Sequence, residues 1–328
     1  MKSVLLYNTN DLRLVDVLIP EVGPDEVLVQ VSKCGVCRTD LRKYHTGDNG
    51  ALKLPMNLGH EWVGRVVEVG PEVNDYQPGM RVVGDTYAGY AEYAVLTAQD
   101  RQLAFPDGPL LIPDTLSDEA LTFVEPLSCC LHAVVNQAQL QASQTVIICG
   151  AGQMGLQMVA LAHHYGARVI VSEPVAMRRE LAAEFGAAHL IDPTQEDAVK
   201  TVKELTNDEG ADVVILTIGL PELVNHILQM ARPLGRVVMF AGFERPAKVE
   251  IDPNIIHYNE LVLTGSYWLS PPPYHRPQIY QQAVDFIAKG IVPVERLMTK
   301  HFRLEQLHEA FAAASDGRSL KIIITIGE

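Results

Sequence analysis

Short runs in which hydrophobic and polar residues alternate fill roughly the first 120 residues of the chain. Glycine and proline separate these runs, as they do at the turns between short strands. The predicted strands cover residues 26–32, 64–70, 79–85 and 90–96. Several short strands at this spacing are typical of a β-barrel or a β-sandwich.

The middle of the chain has a different pattern, in which wholly apolar runs alternate with amphipathic helical segments. The predicted strands are residues 145–149, 167–173, 189–192, 211–218, 235–240 and 261–266, and the predicted helices are 177–185, 198–205 and 223–232. Strands that are apolar throughout are buried on both faces, and their alternation with helices predicts a doubly wound parallel sheet.

The tail carries two predicted helices, at residues 279–289 and 304–314, and a last strand at 320–326. We expect the tail to return to the β-rich domain. The predicted organisation is an α/β protein in which residues 1–124 and 268–328 form one domain and residues 125–267 form the other.

A glycine-rich turn follows the first strand of the parallel sheet directly. Gly150, Gly152 and Gly155 form G-x-G-x-x-G and open a helix at Gln153 and Met154, whose backbone amides can bind a pyrophosphate. The alternative is a glycine-rich turn that binds no nucleotide.

The second strand of the parallel sheet ends at an acidic residue, Glu173, about 20 residues beyond the glycine turn. A carboxylate there accepts from both ribose hydroxyls and repels a 2′-phosphate, so the sequence favours NAD over NADP. Arg178 and Arg179 instead favour NADP, since arginine can accommodate that phosphate.

Composition and charge exclude several classes of function. The formal charge is −14, and the chain has no runs of lysine and arginine, which argues against nucleic-acid binding. No apolar stretch approaches the ~18 residues of a membrane span, and the first twelve residues lack a secretory pattern. Five cysteines in a chain of 328 residues fit a reducing compartment, so we expect a cytoplasmic protein.

The β-rich domain contains side chains that suit a metal ion. Cys37, His60, Glu61 and Glu125 offer one sulfur, one imidazole and carboxylate oxygens, a mixed set that zinc accepts. A catalytic zinc keeps one position open, so three protein ligands are expected at a time. The alternatives are a redox pair formed by Cys34 and Cys37, half of a structural zinc knuckle, and a His60 that is buried for packing alone.

Four stretches, "GVCRTD", "GHEWVGRVVEVG", "FVEPLSCCLHAV" and "GAGQMG", resemble the zinc-dependent medium-chain dehydrogenases, especially their polyol branch. The resemblance extends over the whole chain and implies a GroES-like catalytic domain beside a Rossmann domain. It also implies that Cys37 and His60 bind one catalytic zinc, with Glu61 as a third or exchangeable ligand. Glu125 would bind the zinc or hold its water.

The resemblance assigns further roles. Thr39 would be the first proton acceptor from the alcohol, although its position also fits a helix cap. Asp40 would orient the ligands and pair with a C-terminal cation, for which Lys321 is the candidate. His132 is expected to be structural, and Cys129 and Cys130 are expected to lie in a buried helix.

Two departures from the resemblance carry expectations. Residues 82–96 contain no cysteine where relatives hold a structural zinc, so we expect one zinc per chain. Arg42 stands where relatives often carry a relay histidine, and His45 lies out of register with that position.

The expected activity is hydride transfer between NAD and a secondary alcohol such as a polyol, a vicinal diol or a cyclitol. Tyr44, Tyr87, Trp268 and residues 271–274 are candidates for the substrate pocket. The competing readings are a zinc-free quinone or enoyl reductase and an NAD-binding protein that has lost catalysis. Relatives are dimers or tetramers, and residues 261–264 could form an edge strand that pairs with a second copy.

Overall fold

The structure, a computed structural model, describes residues 1–47, 53–97, 110–244, 246–267 and 276–327. The chain divides into two compact units, Met1–Ser128 with Pro272–Glu328, and Cys129–Pro271. The predicted pocket residue Trp268 and the predicted loop 271–274 lie outside the described residues.

The first unit is rich in β-structure. Its strands are β1 (Lys2–Asn8), β2 (Asp11–Asp16), β3 (Glu26–Gly35), β4 (Met56–Asn57), β5 (Trp62–Val69), β6 (Arg81–Gly84), β7 (Tyr93–Thr97), β14 (Met298–Arg303) and β15 (Lys321–Thr325). One sheet has the order β2-β1-β4, and a second has the order β14-β15-β3-β5-β6, with β7 also pairing with β3. The pairing of β1 with β2 was not predicted.

The central strand of the larger sheet is β3, which spans ten residues. One of its edges pairs with β5, and its other edge is shared by β7 and by β15 near the C-terminus of the chain. The register places Ile323 of β15 opposite Gly35 at the end of β3. This pairing brings the C-terminal strand next to the segment that contains the first predicted metal ligand.

Helices complete the first unit. They are α1 (Arg38–Thr46), α2 (Asp118–Leu121), α9 (Arg276–Ala288) and α10 (Leu307–Ser315), with short 3₁₀ turns at Val294–Leu297 and Leu304–Gln306. A further helix, α3 (Val124–Leu131), starts in the first unit and ends in the second. α3 contains Cys129 and Cys130, as predicted, and is followed by a π-helix, His132–Gln137. Trp62, Leu6 and Phe311 are among the largest fully buried side chains of the apolar core.

The second unit is the predicted parallel sheet. Its strands are β8 (Thr145–Cys149), β9 (Arg168–Ser172), β10 (His189–Ile191), β11 (Ala211–Leu216), β12 (Ala231–Met239) and β13 (Val262–Gly265), and its helices are α4 (Gln153–His164), α5 (Ala176–Glu184), α6 (Ala198–Leu205), α7 (Leu223–Met230) and α8 (Pro253–Tyr258). The order is β10-β9-β8-β11-β12-β13, with parallel pairing throughout. The carboxyl ends of β8, β9 and β11 therefore meet at one edge, where ligands bind in such sheets.

One predicted boundary in this unit is wrong. The helix predicted to reach residue 232 ends at Met230, and β12 begins at Ala231, whose backbone is already extended (φ −74°, ψ 143°). Arg232 and Pro233 lie within β12. Because proline has no N–H to donate within a helix interior, the helix ends before it.

Candidate metal centre and nucleotide site

Cys37 begins helix α1 and is its N-cap. Its backbone is extended (φ −102°, ψ 149°), and its Sγ accepts the N–H of Thr39 at 3.5 Å. The carboxylate of Asp40 accepts the N–H of Cys37 in return, at 3.4 Å, which completes a capping box. Thr39 is therefore not the cap. A sulfur at a helix N-terminus lies where the helix dipole favours negative charge.

His60 and Glu61 precede β5, and their side chains meet the sulfur of Cys37. One ligand atom from each of the three residues lies within 4.8 Å of the others. The chain reaches this position through Gly59, whose φ of +78° is unfavourable for other residues. A Cβ at Gly59 would also lie 2.8 Å from the sulfur of Cys34, so the turn requires glycine.

Asp40 fixes the orientation of the histidine. It is fully buried, and its Oδ1 lies 3.2 Å from Nδ1 of His60 and accepts the N–H of Gly59 at 3.3 Å. The phenol of Tyr90 donates to Oδ2 at 3.1 Å. A histidine that donates Nδ1–H to a carboxylate presents Nε2 to a metal ion.

Glu61 shares its carboxylate with Lys321. Both side chains are buried, and Oε2 of Glu61 forms a very short contact with Nζ of Lys321. This corrects the prediction that Lys321 pairs with Asp40. Lys321 is the first residue of β15, and its side chain packs against Gly35. A Cβ at Gly35 would lie 2.5 Å from Cε of Lys321 and 2.6 Å from Oε2 of Glu61. Asp40 is instead occupied by His60, Gly59 and Tyr90.

The other oxygen of Glu61 supports a metal ion. Oε1 is buried and has no hydrogen-bond partner among the described residues. An orphaned buried carboxylate oxygen is costly unless a ligand satisfies it. Sulfur, imidazole and this oxygen together suit zinc, so the residues fit the metal that the sequence predicts.

The pKa directions describe this group without a metal. Burial raises the pKa of the Cys37 thiol, and the Glu61 carboxylate raises it further. Burial alone would lower the pKa of His60, but Asp40 and Cys37 outweigh it and raise that pKa well above its usual value. Burial would also lower the pKa of Lys321, but Glu61 and Cys37 together outweigh it, and the pKa is raised. Metal binding must therefore displace protons.

Glu125 lies on α3, buried, outside the group of three. Its negative charge helps to raise the pKa of Lys321. The larger effects include burial, which lowers that pKa, and Glu61, which raises it. Within the described ranges, Cys37, His60 and Glu61 form the one group of His, Cys, Asp or Glu side chains that could hold a metal ion.

Cys34 and Cys149 are buried thiols. Cys34 is fully buried in the apolar core, and no disulfide forms between the five cysteines. Burial raises the pKa of Cys34 well above its usual value. Cys149 ends β8, and its pKa is raised to about 12 by burial. Burial therefore disfavours the reactive thiolate form of both side chains.

Aromatic side chains divide between the metal centre and the core. The ring of Tyr87 packs edge-on against His60 with centroids 5.0 Å apart, and Nζ of Lys43 lies 5.1 Å from the centre of the Tyr87 ring. Tyr44 packs against Phe311 of α10, at 5.4 Å, and so belongs to the core rather than to the predicted pocket. Sequence reasoning missed Lys43 and Tyr90, because neither lies in a recognisable motif.

The relay position has no imidazole. Nε of Arg42 is buried and lacks a hydrogen-bond partner among the residues described. His45 instead contacts Oδ1 of Asn10 at 3.0 Å and Oγ of Ser315 at 3.2 Å. His132 contacts Asn136 and Gln137 within the π-helix.

The glycine turn of the second unit has the predicted shape. Gly150 has φ +101°, and a Cβ at Gly155 would lie 2.0 Å from the carbonyl oxygen of Gly150. At Gly152 a Cβ would meet nothing within 4 Å, so this side of the turn is open to a ligand. α4 starts at Gln153 without a side-chain cap, which leaves the amides of Gln153 and Met154 for a phosphate.

Glu173 follows β9 and is buried, at 1% exposure. Its Oε2 accepts the N–H of Ala151 at 2.7 Å, and its Oε1 accepts the N–H of Val175 at 3.0 Å. Nη1 of Arg178 lies 3.8 Å from Oε1. Arg179 is bound to Asp192 at 2.7 Å and to the carbonyl of Glu173, so it is already engaged. A fixed carboxylate with spare lone pairs suits a ribose diol.

Comparison with known proteins gives two family matches. Residues 23–107 match the alcohol dehydrogenase GroES-like domain, and residues 154–289 match the zinc-binding dehydrogenase family. Sorbitol dehydrogenase of Bacillus subtilis (strain 168) is 30% identical, over 99% of this chain and 97% of that protein. D-arabitol-phosphate dehydrogenase of Enterococcus avium is 31% identical, over 96% and 94% of the two chains.

Solved structures agree with this result. A zinc-binding dehydrogenase from Sinorhizobium meliloti 1021, crystallised with NADP, superposes with a TM-score of 0.87 at 31% identity, over 99% of this chain and 98% of that chain. Among the helices of the described segments, none has the length and apolar character needed to cross a membrane.

Proposed function

Because this chain belongs to the zinc-binding alcohol dehydrogenase family, we propose that it transfers a hydride between NAD and a secondary alcohol of the polyol, vicinal diol or sugar class. The observation that carries the proposal is the convergence of Cys37, His60 and Glu61, with one orphaned carboxylate oxygen. This donor set fits an ion that also binds a substrate oxygen.

Cys37, His60 and Glu61 would hold the zinc. When bound, zinc supplies a Lewis acid that makes the substrate hydroxyl more acidic. Asp40 keeps His60 in the tautomer that leaves Nε2 for the ion. Lys321 holds Oε2 of Glu61 and leaves Oε1 for the metal. Glu125 is proposed to hold the metal-bound water or to act as an exchange ligand.

Thr39 is the proposed acceptor of the alcohol proton. It lies in the first turn of α1, two residues after Cys37, and its side chain is partly exposed. A hydroxyl both accepts and donates, so Thr39 can pass the proton on without becoming charged. Arg42 cannot release a proton at neutral pH. The route beyond Thr39 therefore differs from a histidine relay.

The nicotinamide cofactor supplies the hydride acceptor, and the second unit would bind it. The amides of Gln153 and Met154 face the pyrophosphate, and Glu173 accepts from the adenosine ribose. Arg179 is engaged by Asp192, and the Glu173 carboxylate is fixed by backbone N–H groups, so a 2′-phosphate would meet that negative charge, which Arg178, 3.8 Å from the carboxylate, offsets only in part. We therefore propose NAD as the preferred cofactor.

The relatives suggest the substrate class. Sorbitol and D-arabitol phosphate, in the names of two relatives, are chains of secondary alcohols. Tyr87, packed on His60, is the described aromatic residue best placed to contact such a substrate. A homodimer or homotetramer in the cytoplasm remains a prediction.

The test is zinc analysis of the purified protein, followed by NADH formation with a panel of polyols and cyclitols. We expect about one zinc per chain and turnover of at least one polyol. Cys37→Ser should lose both zinc and activity. A Cys37→Ser variant with full activity would instead favour a zinc-free reductase. Tight NADH binding without turnover of any alcohol would favour a protein that has lost catalysis.

A further inference from the structure

The peptide group between Gly150 and Ala151 is held at both ends. Its carbonyl oxygen lies 2.9 Å from Oγ1 of Thr217, which donates to it. Its N–H donates to Oε2 of Glu173 at 2.7 Å. A peptide group is planar and rigid, so two contacts on opposite sides fix its orientation.

Thr217 reaches this peptide from a neighbouring strand. It follows β11, directly beside the end of β8, and its backbone N–H donates to the carbonyl of Cys149 at 3.0 Å. Its Oγ1 also lies 2.8 Å from that carbonyl, so one hydroxyl proton serves two adjacent acceptors. A Cβ at Gly150 would lie 2.6 Å from Oγ1, so the hydroxyl fills the space that a side chain at Gly150 would need.

The carbonyl of this peptide lies against the first turn of α4. The carbonyl of Gly150 points at Gly155, where a Cβ would come within 2.0 Å of it. If the peptide rotated, this carbonyl would move into the first turn of α4 or away from it. The amides of Gln153 and Met154, in that same turn, are those that face the pyrophosphate in the proposed function.

We propose that Thr217 is a positioning residue for the nucleotide: together with Glu173, it clamps the Gly150–Ala151 peptide and holds the glycine turn in the shape that binds a pyrophosphate. The proposal rests on the proposed NAD binding and deepens it. Glu173 then has two roles, since the carboxylate that selects the ribose also holds the turn.

The test compares Thr217→Val with Thr217→Ser in the full-length protein. Valine keeps the shape of threonine and removes the hydroxyl, whereas serine keeps the hydroxyl. The matched control is Thr206→Val, at the end of α6 in the same unit, where Oγ1 donates to the carbonyl of Val202 at 2.8 Å and accepts the N–H of Gly210 at 2.9 Å. That variant loses comparable hydrogen bonds away from the turn.

Binding is measured by NADH fluorescence, with ADP-ribose and adenosine as competitors. For Thr217→Val we expect the Kd of NADH and of ADP-ribose to rise about fivefold to tenfold, the loss of one hydrogen bond. The Kd of adenosine, which lacks the pyrophosphate, and kcat at saturating NAD should stay within about twofold. Thr217→Ser should restore the affinity, and Thr206→Val should lower only the unfolding midpoint.

Two results would overturn the clamp. One is a Thr217→Val variant that binds ADP-ribose as tightly as the unmodified protein. The other is equal weakening of adenosine and ADP-ribose, which would indicate general destabilisation. A parent protein that binds neither NAD nor NADP would instead refute the proposed function, and the clamp with it.

Discussion

Replacing Lys321 by methionine tests whether the metal centre is built around a shared carboxylate. Lys321 and Glu61 are almost completely buried, and no solvent is available to stabilise either charge alone. Methionine has nearly the length of lysine and no charge, so packing is largely kept. Removing one member of a buried ion pair costs about 3–5 kcal/mol, because the other charge is left uncompensated. We expect a loss of this size in the metal-free first unit.

The loss should be smaller when zinc is present, because Glu61 then has a second positive partner. If zinc recovers about 2 kcal/mol of the loss, linkage requires the variant to bind zinc about 30-fold more tightly than the parent protein does. Lys321 thus stabilises the empty site at the expense of metal affinity. The expected rise in zinc affinity of the variant is opposite to the fall expected for a residue that merely supports the ligands.

The assay is urea unfolding followed by tryptophan fluorescence, with a chelator and with excess zinc, together with zinc titration against a chromophoric chelator. Lys321→Arg keeps the charge and serves as one control. Lys321→Met combined with Glu61→Gln removes both charges and should recover much of the metal-free stability. Equal destabilisation with and without zinc, or weaker zinc binding by Lys321→Met, would refute the shared-carboxylate reasoning.

Four further predictions follow from the two sites. Thr39→Val should lower kcat by about 10²–10⁴-fold, and Thr39→Ser should retain most of it, in steady-state assays at saturating alcohol. Zinc affinity should fall as pH falls from about 9 to 6, because the raised pKa values of Cys37 and His60 keep both ligands protonated. Competition titrations at several pH values measure this affinity, and a zinc affinity that does not change with pH would contradict the prediction. Glu173→Ala should raise the KM for NAD and reduce discrimination against NADP by about tenfold or more, measured as the ratio of kcat/KM values. Burial raises the pKa of both Cys37 and Cys149, but Cys37 is partly exposed whereas Cys149 is buried. Iodoacetamide at alkaline pH should therefore label Cys37 once a chelator removes zinc and leave Cys149 unlabelled in peptide mapping.

The sequence predicted the features that depend on local pattern. Strands β8, β9 and β11 follow from apolar runs, because strands buried on both faces have no polar side to obscure them. The edge strands β10 and β13 are only partly buried, although their positions in the sequence were also predicted. The glycine turn follows from backbone geometry, since Gly150 and Gly155 sit where a Cβ is excluded. Cys37, His60 and Glu61, which the structure brings together, were among the four predicted metal ligands, because few residue types suit zinc.

Contacts between distant segments could not be predicted in the same way. Lys321 is 260 residues from Glu61 in the sequence, and their contact depends on the antiparallel register of β15 against β3. A resemblance supplies a cation near the right place but not its partner, which is why Lys321 was paired with Asp40 instead of Glu61. Tyr90 likewise reaches Asp40 from a loop that no motif marks.

In both sites a buried glutamate is held by protein contacts while part of its carboxylate stays available to a ligand. Glu61 is held at Oε2 by Lys321 and keeps Oε1 for a ligand, while Glu173 is held by one backbone N–H at each oxygen and keeps further lone pairs. Each carboxylate is therefore oriented before its ligand arrives, which limits the ordering of side chains that binding requires, while at Glu61 the charge of Lys321 also competes with the metal ion. The longer side chain of glutamate matters here, because aspartate is one methylene shorter and could not keep its anchor and reach its ligand together. Glu61→Asp and Glu173→Asp should then weaken binding of zinc and of NAD, respectively, although the charge is retained. If either variant kept the affinity of the parent protein, the length of the glutamate side chain would not be needed to contact both the anchor and the ligand.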